Sequence, residues 1–252
     1  MRFSKWHALG NSYLVVERAA GGDLTPGRAQ RLCDVATGIG ADGVLEVVAV
    51  DGPRAEVLIW NPDGSIAEMS GNGTRIAAAW LVRRTDAADV VIVVGSREIR
   101  GRVLDTTLVE TEIGRVDVGE QEMLDDEIEF TVASVGNPHA VVFTEELNRD
   151  RLLHLGPLLE THPRFPQRTN VQLAQVTGRH EVQVLVWERG AGETSASGSS
   201  AVAVATVAIA RGLCESPVQV HMPGGTLDVR IEAGQATLVG PAEEICRGET
   251  DL

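Results

Sequence analysis

Two serines stand at equivalent places in this chain. One follows the run Val57-Leu58-Ile59-Trp60-Asn61 and the loop ending Glu68-Met69-Ser70-Gly71-Asn72-Gly73. The other follows Val184-Leu185-Val186-Trp187-Glu188-Arg189 and the loop ending Ala196-Ser197-Gly198-Ser199. Trp60 and Trp187 are 127 positions apart, and so are Ser70 and Ser197. Each stretch reads as a strand, a polar loop, a Ser-Gly turn and an Ala-rich helix. Taken singly, each serine is a helix cap. Taken together, they suit chemistry on two mirror-related faces, with a hydroxyl for each face. The first-turn amides of Gly71, Asn72 and Gly73, and of Gly198 and Ser199, would point at a ligand carboxylate, with two helix dipoles behind them.

Polar residues recur just after apolar strands in both halves: Asn11, Asn61, Asn137, His139, Asn170, Glu188 and Arg189. Any one of them could be a turn or surface residue. Their recurrence points to a convergent polar pocket, and Glu188-Arg189 supplies both charge signs for a zwitterionic ligand.

Other chemistries fit poorly. Gly38-Ile39-Gly40-Ala41-Asp42-Gly43 matches the dinucleotide pattern, but it follows a helix and opens a strand, the reverse of what that fingerprint requires. The glycine-rich stretch from Gly190 to Gly198 lacks the Gly-Lys-Ser/Thr ending of a phosphate loop. Lys5, the sole lysine, starts an N-terminal strand, a poor place for a pyridoxal Schiff base. Cys33, Cys214 and Cys246 form no metal-type cluster and no disulfide framework, so a reduced cytoplasmic setting and no metal are expected. A net charge of −14 argues against nucleic acid. No run of 18 apolar residues suggests a membrane span, and the N-terminus lacks the apolar core of a signal peptide.

The supporting elements follow from pattern. Residues 2–17 predict two strands around Gly10-Asn11-Ser12. Thr25-Pro26 opens a helix that carries Leu32, Val35 and Ala36 inward and ends near Gly38. Strands are expected at 44–50 and 54–60, a buried helix at 74–82 and short strands over 89–118. The acidic residues from Glu120 to Glu129 suggest an exposed connection. Gly136-Asn137 repeats Gly10-Asn11 at a spacing of 126, so the repeat spans each half of the 252 residues. Helical residues are expected at 145–161, strands at 170–176 and 182–187, an apolar helix at 199–210, and strands over 217–239. The expected division is residues 1–118 with the tail 240–252, against 119–239.

These residues resemble the diaminopimelate epimerase family over nearly the whole chain. The resemblance is carried by Lys5-Trp6-His7-Ala8-Leu9-Gly10-Asn11, Gly38–Gly43, Asn61-Pro62-Asp63-Gly64 and Glu68–Gly73. It continues through Gly136-Asn137-Pro138-His139, Thr169-Asn170-Val171, Trp187–Thr194 and His221-Met222-Pro223-Gly224-Gly225. It implies an α/β (α+β) fold with mixed sheets in two pseudo-symmetric domains, each a curved, barrel-like sheet around a central helix, with a ligand cleft between them. It implies cofactor-independent inversion at an amino acid α-carbon, LL- to meso-diaminopimelate. Asn11, Asn61, Asn137, Asn170, Glu188 and Arg189 would hold the substrate, His139 would support the catalytic groups, and a homodimer is an expected assembly. In that family two cysteines exchange the proton. Here both positions are serine, Ser70 and Ser197, a much poorer base pair unless His139 or Glu188, the other candidate catalytic residues, removes the proton instead. Two alternatives stay open: a catalytically silent ligand binder or Cys→Ser trapped variant, and a racemase, dehydratase or isomerase acting on another amino acid.

Overall fold

The computed structural model describes residues 1–124 and 128–252. The chain forms two compact units: Met1–Glu112 with Val239–Leu252, and Ile113–Leu238.

The first unit opens with β1 (Arg2–Ala8), β2 (Asn11–Glu17), the helical turn α1 (Arg18–Gly21), α2 (Pro26–Cys33), β3 (Val44–Asp51) and β4 (Arg54–Trp60). It continues with β5 (Ile66–Ala67), α3 (Gly71–Thr85), β6 (Asp89–Val94), β7 (Arg97–Val103) and β8 (Leu108–Arg115). Most pairs are antiparallel, but β2 runs parallel to β3 and β4 parallel to β6. α3 packs on β1, β2, β4, β6 and β7. Strands so widely spaced in one sheet reach a single helix only because the sheet curls around it. The core so formed includes Trp6, Leu45, Ile59, Ile76, Leu81 and Ile92, all nearly inaccessible. Gly101 permits the close approach: a Cβ there would stand 2.7 Å from Ala78 Cβ.

The second unit repeats this plan. Its elements are β9 (Asp117–Leu124), β10 (Ile128–Ser134), β11 (Pro138–Phe143), α4 (Arg149–Glu160), β12 (Asn170–Gly178) and β13 (Glu181–Glu188). Then come β14 (Gly192–Thr194), α5 (Gly198–Ala210), β15 (Val218–Met222), β16 (Gly225–Glu232) and β17 (Gln235–Pro241). β11 and β12 are parallel, as are β13 and β15, and the pairings from β9 through β13 are otherwise antiparallel. α5 packs on β9 through β13, β15 and β16. It is apolar all round because sheet surrounds it on every side. The last strand, β18 (Glu243–Glu249), belongs to the first unit and pairs with β1.

Several sequence expectations need correction. α2 stops at Cys33, and Val35 is 89% exposed rather than inward. Asp34 ends the helix: its Oδ1 accepts from the amides of Ala36 and Thr37, which closes a turn. The acidic stretch from Glu120 is not an irregular connection as far as Leu124, because Asp117–Leu124 ladders against Ile128–Ser134. Residues 125–127 of that stretch lie outside the described residues. Both central helices begin at the glycine after the serine, earlier than apolar periodicity indicates.

α4 carries a steric constraint. A Cβ on Gly156 would sit 2.5 Å from the Trp187 ring, which is fixed by its Nε1 donating to Glu160 Oε2 at 2.7 Å. Gly→Ala inside a helix normally stabilises by about 1 kcal/mol. The overpacked indole costs about 1–3 kcal/mol, so the sign should reverse. Gly156→Ala is expected to lower the urea midpoint, where an unhindered helical site would raise it.

Candidate active site

In the first unit, Ser70 takes an extended backbone (φ −142°, ψ 119°) as the N-cap of α3, and its Oγ accepts from the Gly73 amide at 3.0 Å. The Tyr13 hydroxyl on β2 lies 3.0 Å from the same oxygen. The amides of Gly71 and Asn72 have no acceptor within the helix, as at any helix start. Asn72 is buried. Its Nδ2 donates to Asn11 Oδ1 at 3.2 Å, and its Oδ1 accepts from Arg75 Nη2 at 2.7 Å. Arg75 Nη1 donates to the Gly71 carbonyl at 3.2 Å. Asn11, Ser70, Gly71 and Asn72 are therefore brought together. Asn61, at the end of β4, closes its own turn through Ser65 and bonds to none of them.

In the second unit, Ser197 caps α5 in the same backbone conformation, with Oγ 3.5 Å from both the Ser200 amide and Ser199 Oγ. Glu188, at the end of β13, is half-buried. Burial pushes its carboxyl above the usual range, and a hydrogen bond from Ser197 pulls the other way. His139 is fully buried, with Nε2 3.0 Å from Asn137 Oδ1 and Nδ1 3.0 Å from Gln172 Nε2. The amide nitrogen of Gln172 must donate, so Nδ1 accepts and Nε2–H donates to Asn137. Gln172 Nε2 also reaches Ser200 Oγ at 2.9 Å in the first turn of α5. Asn170 Nδ2 donates to the Pro138 carbonyl, and its Oδ1 accepts from the Arg189 amide at 3.1 Å. Glu160 Oε1 accepts from the next amide, Gly190, at 2.9 Å. Two buried side chains thus fix the backbone that presents the exposed Arg189 side chain.

Burial holds His139 neutral, with its pKa lowered to about 3. The folded chain then binds fewer protons here than the unfolded one. The resulting stability is complete above pH about 6.5 and is lost as pH falls toward 3. Between pH 6.5 and 4.5 the loss should reach about 2 kcal/mol. Glu188 acts in the opposite sense, since its raised carboxyl favours the folded state in acid. The measurement is therefore the difference in unfolding free energy against pH between the native chain and His139→Gln, which should lose the histidine's slope.

Tyr13, Arg75, Glu160 and Gln172 escaped the sequence reading. Tyr13 precedes His139 by 126, the repeat's own spacing, so the duplication could have flagged it. Arg75 was visible as a lone charge in an apolar helix. Among the described residues no group of three or more His, Cys, Asp or Glu could hold a metal, and no helix is long and apolar enough to cross a membrane.

The diaminopimelate epimerase family matches residues 3–122 and 131–244. The chain belongs to the diaminopimelate epimerase family. Its members are isomerases, and this chain is one by sequence. The diaminopimelate epimerase of Carboxydothermus hydrogenoformans is 36% identical over 271 aligned residues, which cover 99% of each chain. Diaminopimelate epimerase 2 of Nostoc is 38% identical over 92% of this chain and 89% of its own. Among solved structures, a hydroxyproline epimerase from Agrobacterium vitis superposes with a TM-score of 0.73 at 17% identity, covering 98% of this chain and 91% of that one. A phenazine biosynthesis protein of the PhzF family from Bacillus anthracis gives 0.75 at 13%, covering 100% and 99%. At such identities the likeness concerns the fold alone, and this diaminopimelate epimerase-family chain shares that fold with proteins of several names.

Proposed function

We propose that the chain inverts the α-carbon of diaminopimelate, LL to meso, by a two-base proton transfer with Ser70 and Ser197 in the acid and base positions. One observation carries this reading: each serine is the N-cap of the central helix of its own unit, in the same backbone conformation. The amides of Gly71, Asn72, Gly198 and Ser199 receive the α-carboxylate, and Asn11, Asn61, Asn137, Asn170, Glu188 and Arg189 hold the distal amino-acid end. As Ser70, in its alkoxide form, takes the proton from Cα, the C–H electron pair delocalises into the α-carboxylate. The pair returns to Cα as it bonds the proton of the Ser197 hydroxyl on the opposite face, which leaves Ser197 as alkoxide. Glu188 gives its proton to that alkoxide, and exchange with solvent then reprotonates Glu188 and removes the proton gained by Ser70. His139 has both nitrogens engaged and acts by holding Asn137. The scheme calls on no cofactor.

A second reading is a ligand binder without turnover. It is favoured by the partners of Ser70, a phenol and a backbone amide, neither a base at neutral pH. Incubating LL- and meso-diaminopimelate separately in D2O decides between them. Deuterium at Cα in both isomers supports inversion. Calorimetric binding without deuteration supports the silent binder. Absence of both removes diaminopimelate as the ligand, and deuteration of another amino acid would replace it.

A further inference from the structure

The two units share a fold, but their buried charges differ. At the first-unit helix start, Arg75 is 0% exposed, yet no carboxylate faces it among the described residues. Its Nε has no partner, and its other contacts are the Gly71 carbonyl and the Asn72 amide oxygen. Burial lowers its pKa to about 10, so it stays a cation at neutral pH. A buried, uncompensated guanidinium is costly, and proteins normally pair such a charge. At the repeat spacing of 127, Arg75 corresponds to Val202, so α5 has no such charge. By the same spacing Glu188 corresponds to Asn61, so the carboxylate has no counterpart in the first unit.

We propose that Arg75 is a positioning residue: it fixes the Asn72 amide toward Asn11 and sets positive charge beneath the first turn of α3, so that in the resting protein position 70 takes a proton and position 197, beside Glu188, gives one. The inference rests on the two-base reading above. The cation adds to the positive end of the helix dipole at Ser70 and favours whatever is anionic there. In the second unit a carboxyl that burial tends to keep protonated backs Ser197 and favours the proton-holding form. The fold is symmetric, and the proton's starting side is not.

A thiol placed at each position reads this field without any ligand, so the outcome is separable from the diaminopimelate experiment. In a Cys246→Ser background, which removes the exposed cysteine, Ser70→Cys and Ser197→Cys are made separately. Each thiol is titrated by the pH dependence of alkylation with iodoacetamide. Cysteine at 70 should titrate below the ordinary value of about 8.5 and below cysteine at 197. Arg75→Gln, which keeps a donor amide without the charge, should raise the thiol at 70 by at least about one unit, or about tenfold less thiolate at neutral pH. Arg75→Lys should retain most of the depression. Arg97→Met, which removes an exposed cation reaching Met69, should change it less. Circular dichroism establishes that each variant is folded, and the order of the thiols at 70 and 197 decides the proposal if Arg75→Gln is not. The proposal is overturned if the thiol at 70 titrates alike with Arg75, Gln substitution and Lys substitution, or if it titrates above the thiol at 197.

Discussion

The double variant Ser70→Cys/Ser197→Cys should exchange the α-proton of diaminopimelate about a thousandfold faster than the native chain. A thiol ionises near 8.5, and a helix N-terminus beside a cation lowers it further, so thiolate is present at neutral pH. An alcohol ionises several units higher, each unit costing about 1.4 kcal/mol. The helix terminus returns about 1–2 kcal/mol at most. If about half of the remaining gap appears in the barrier, the serine pair is slower by about 10³. The single variants separate two events. Ser70→Cys alone should speed deuterium uptake with retention, because one face has gained a competent base. Inversion should stay slow until both faces have one. A double variant with no gain in exchange would mean that positions 70 and 197 do not serve one carbon.

Within that double-cysteine background, Glu188→Gln should lower kcat by about 10²–10³, the range expected for a lost general acid–base group. The pH profile gives the sharper result. Burial raises the Glu188 carboxyl, so its acid form persists at higher pH than an exposed glutamate's and is lost as pH rises through that elevated value. The parent should lose activity along this limb, and Glu188→Gln should lack the limb altogether. His139→Gln should instead act through Asn137, raising KM more than it lowers kcat. A profile unchanged by Glu188→Gln would assign the carboxylate to ligand binding alone.

The pattern of residues made some features plain and concealed others for physical reasons. Both serine caps were readable because an N-cap is local chemistry: a side-chain oxygen meeting an amide three residues on. The start of α2 at Thr25-Pro26 was readable for the same reason, and Thr25 Oγ1 does accept from Arg28. Its end was not. Apolar Val35 continues the helical period, but Asp34 offers the backbone a competing turn, and the side-chain bond wins over the period. β9 was hidden because Glu120, Gln121 and Glu122 look like solvent-exposed loop. A strand carries such charges readily on its solvent side when its ladder partner, β10, supplies apolar residues. Gln172, Glu160 and the role of Arg75 were hidden because a buried polar group is explained only by hydrogen-bond partners brought up by the fold. Arg75 needs the Gly71 carbonyl and Asn72, Gln172 needs His139 and Ser200, and Glu160 needs Trp187 and Gly190. His139, by contrast, was marked by its place in a repeated Gly-Asn turn.

The return of β18 to the side of β1 bears on how the molecule is made. The second unit is one uninterrupted stretch of chain, Ile113–Leu238, and its core needs no residue from the other end of the sequence. The first unit begins synthesis earlier but cannot pair Arg2 with Glu249 or Lys5 with Cys246 until β18 has emerged. The half made first is therefore completed last. Through most of translation it waits with the edge of β1 uncovered, which makes that edge the point where a nascent chain is open to mispairing and to chaperones.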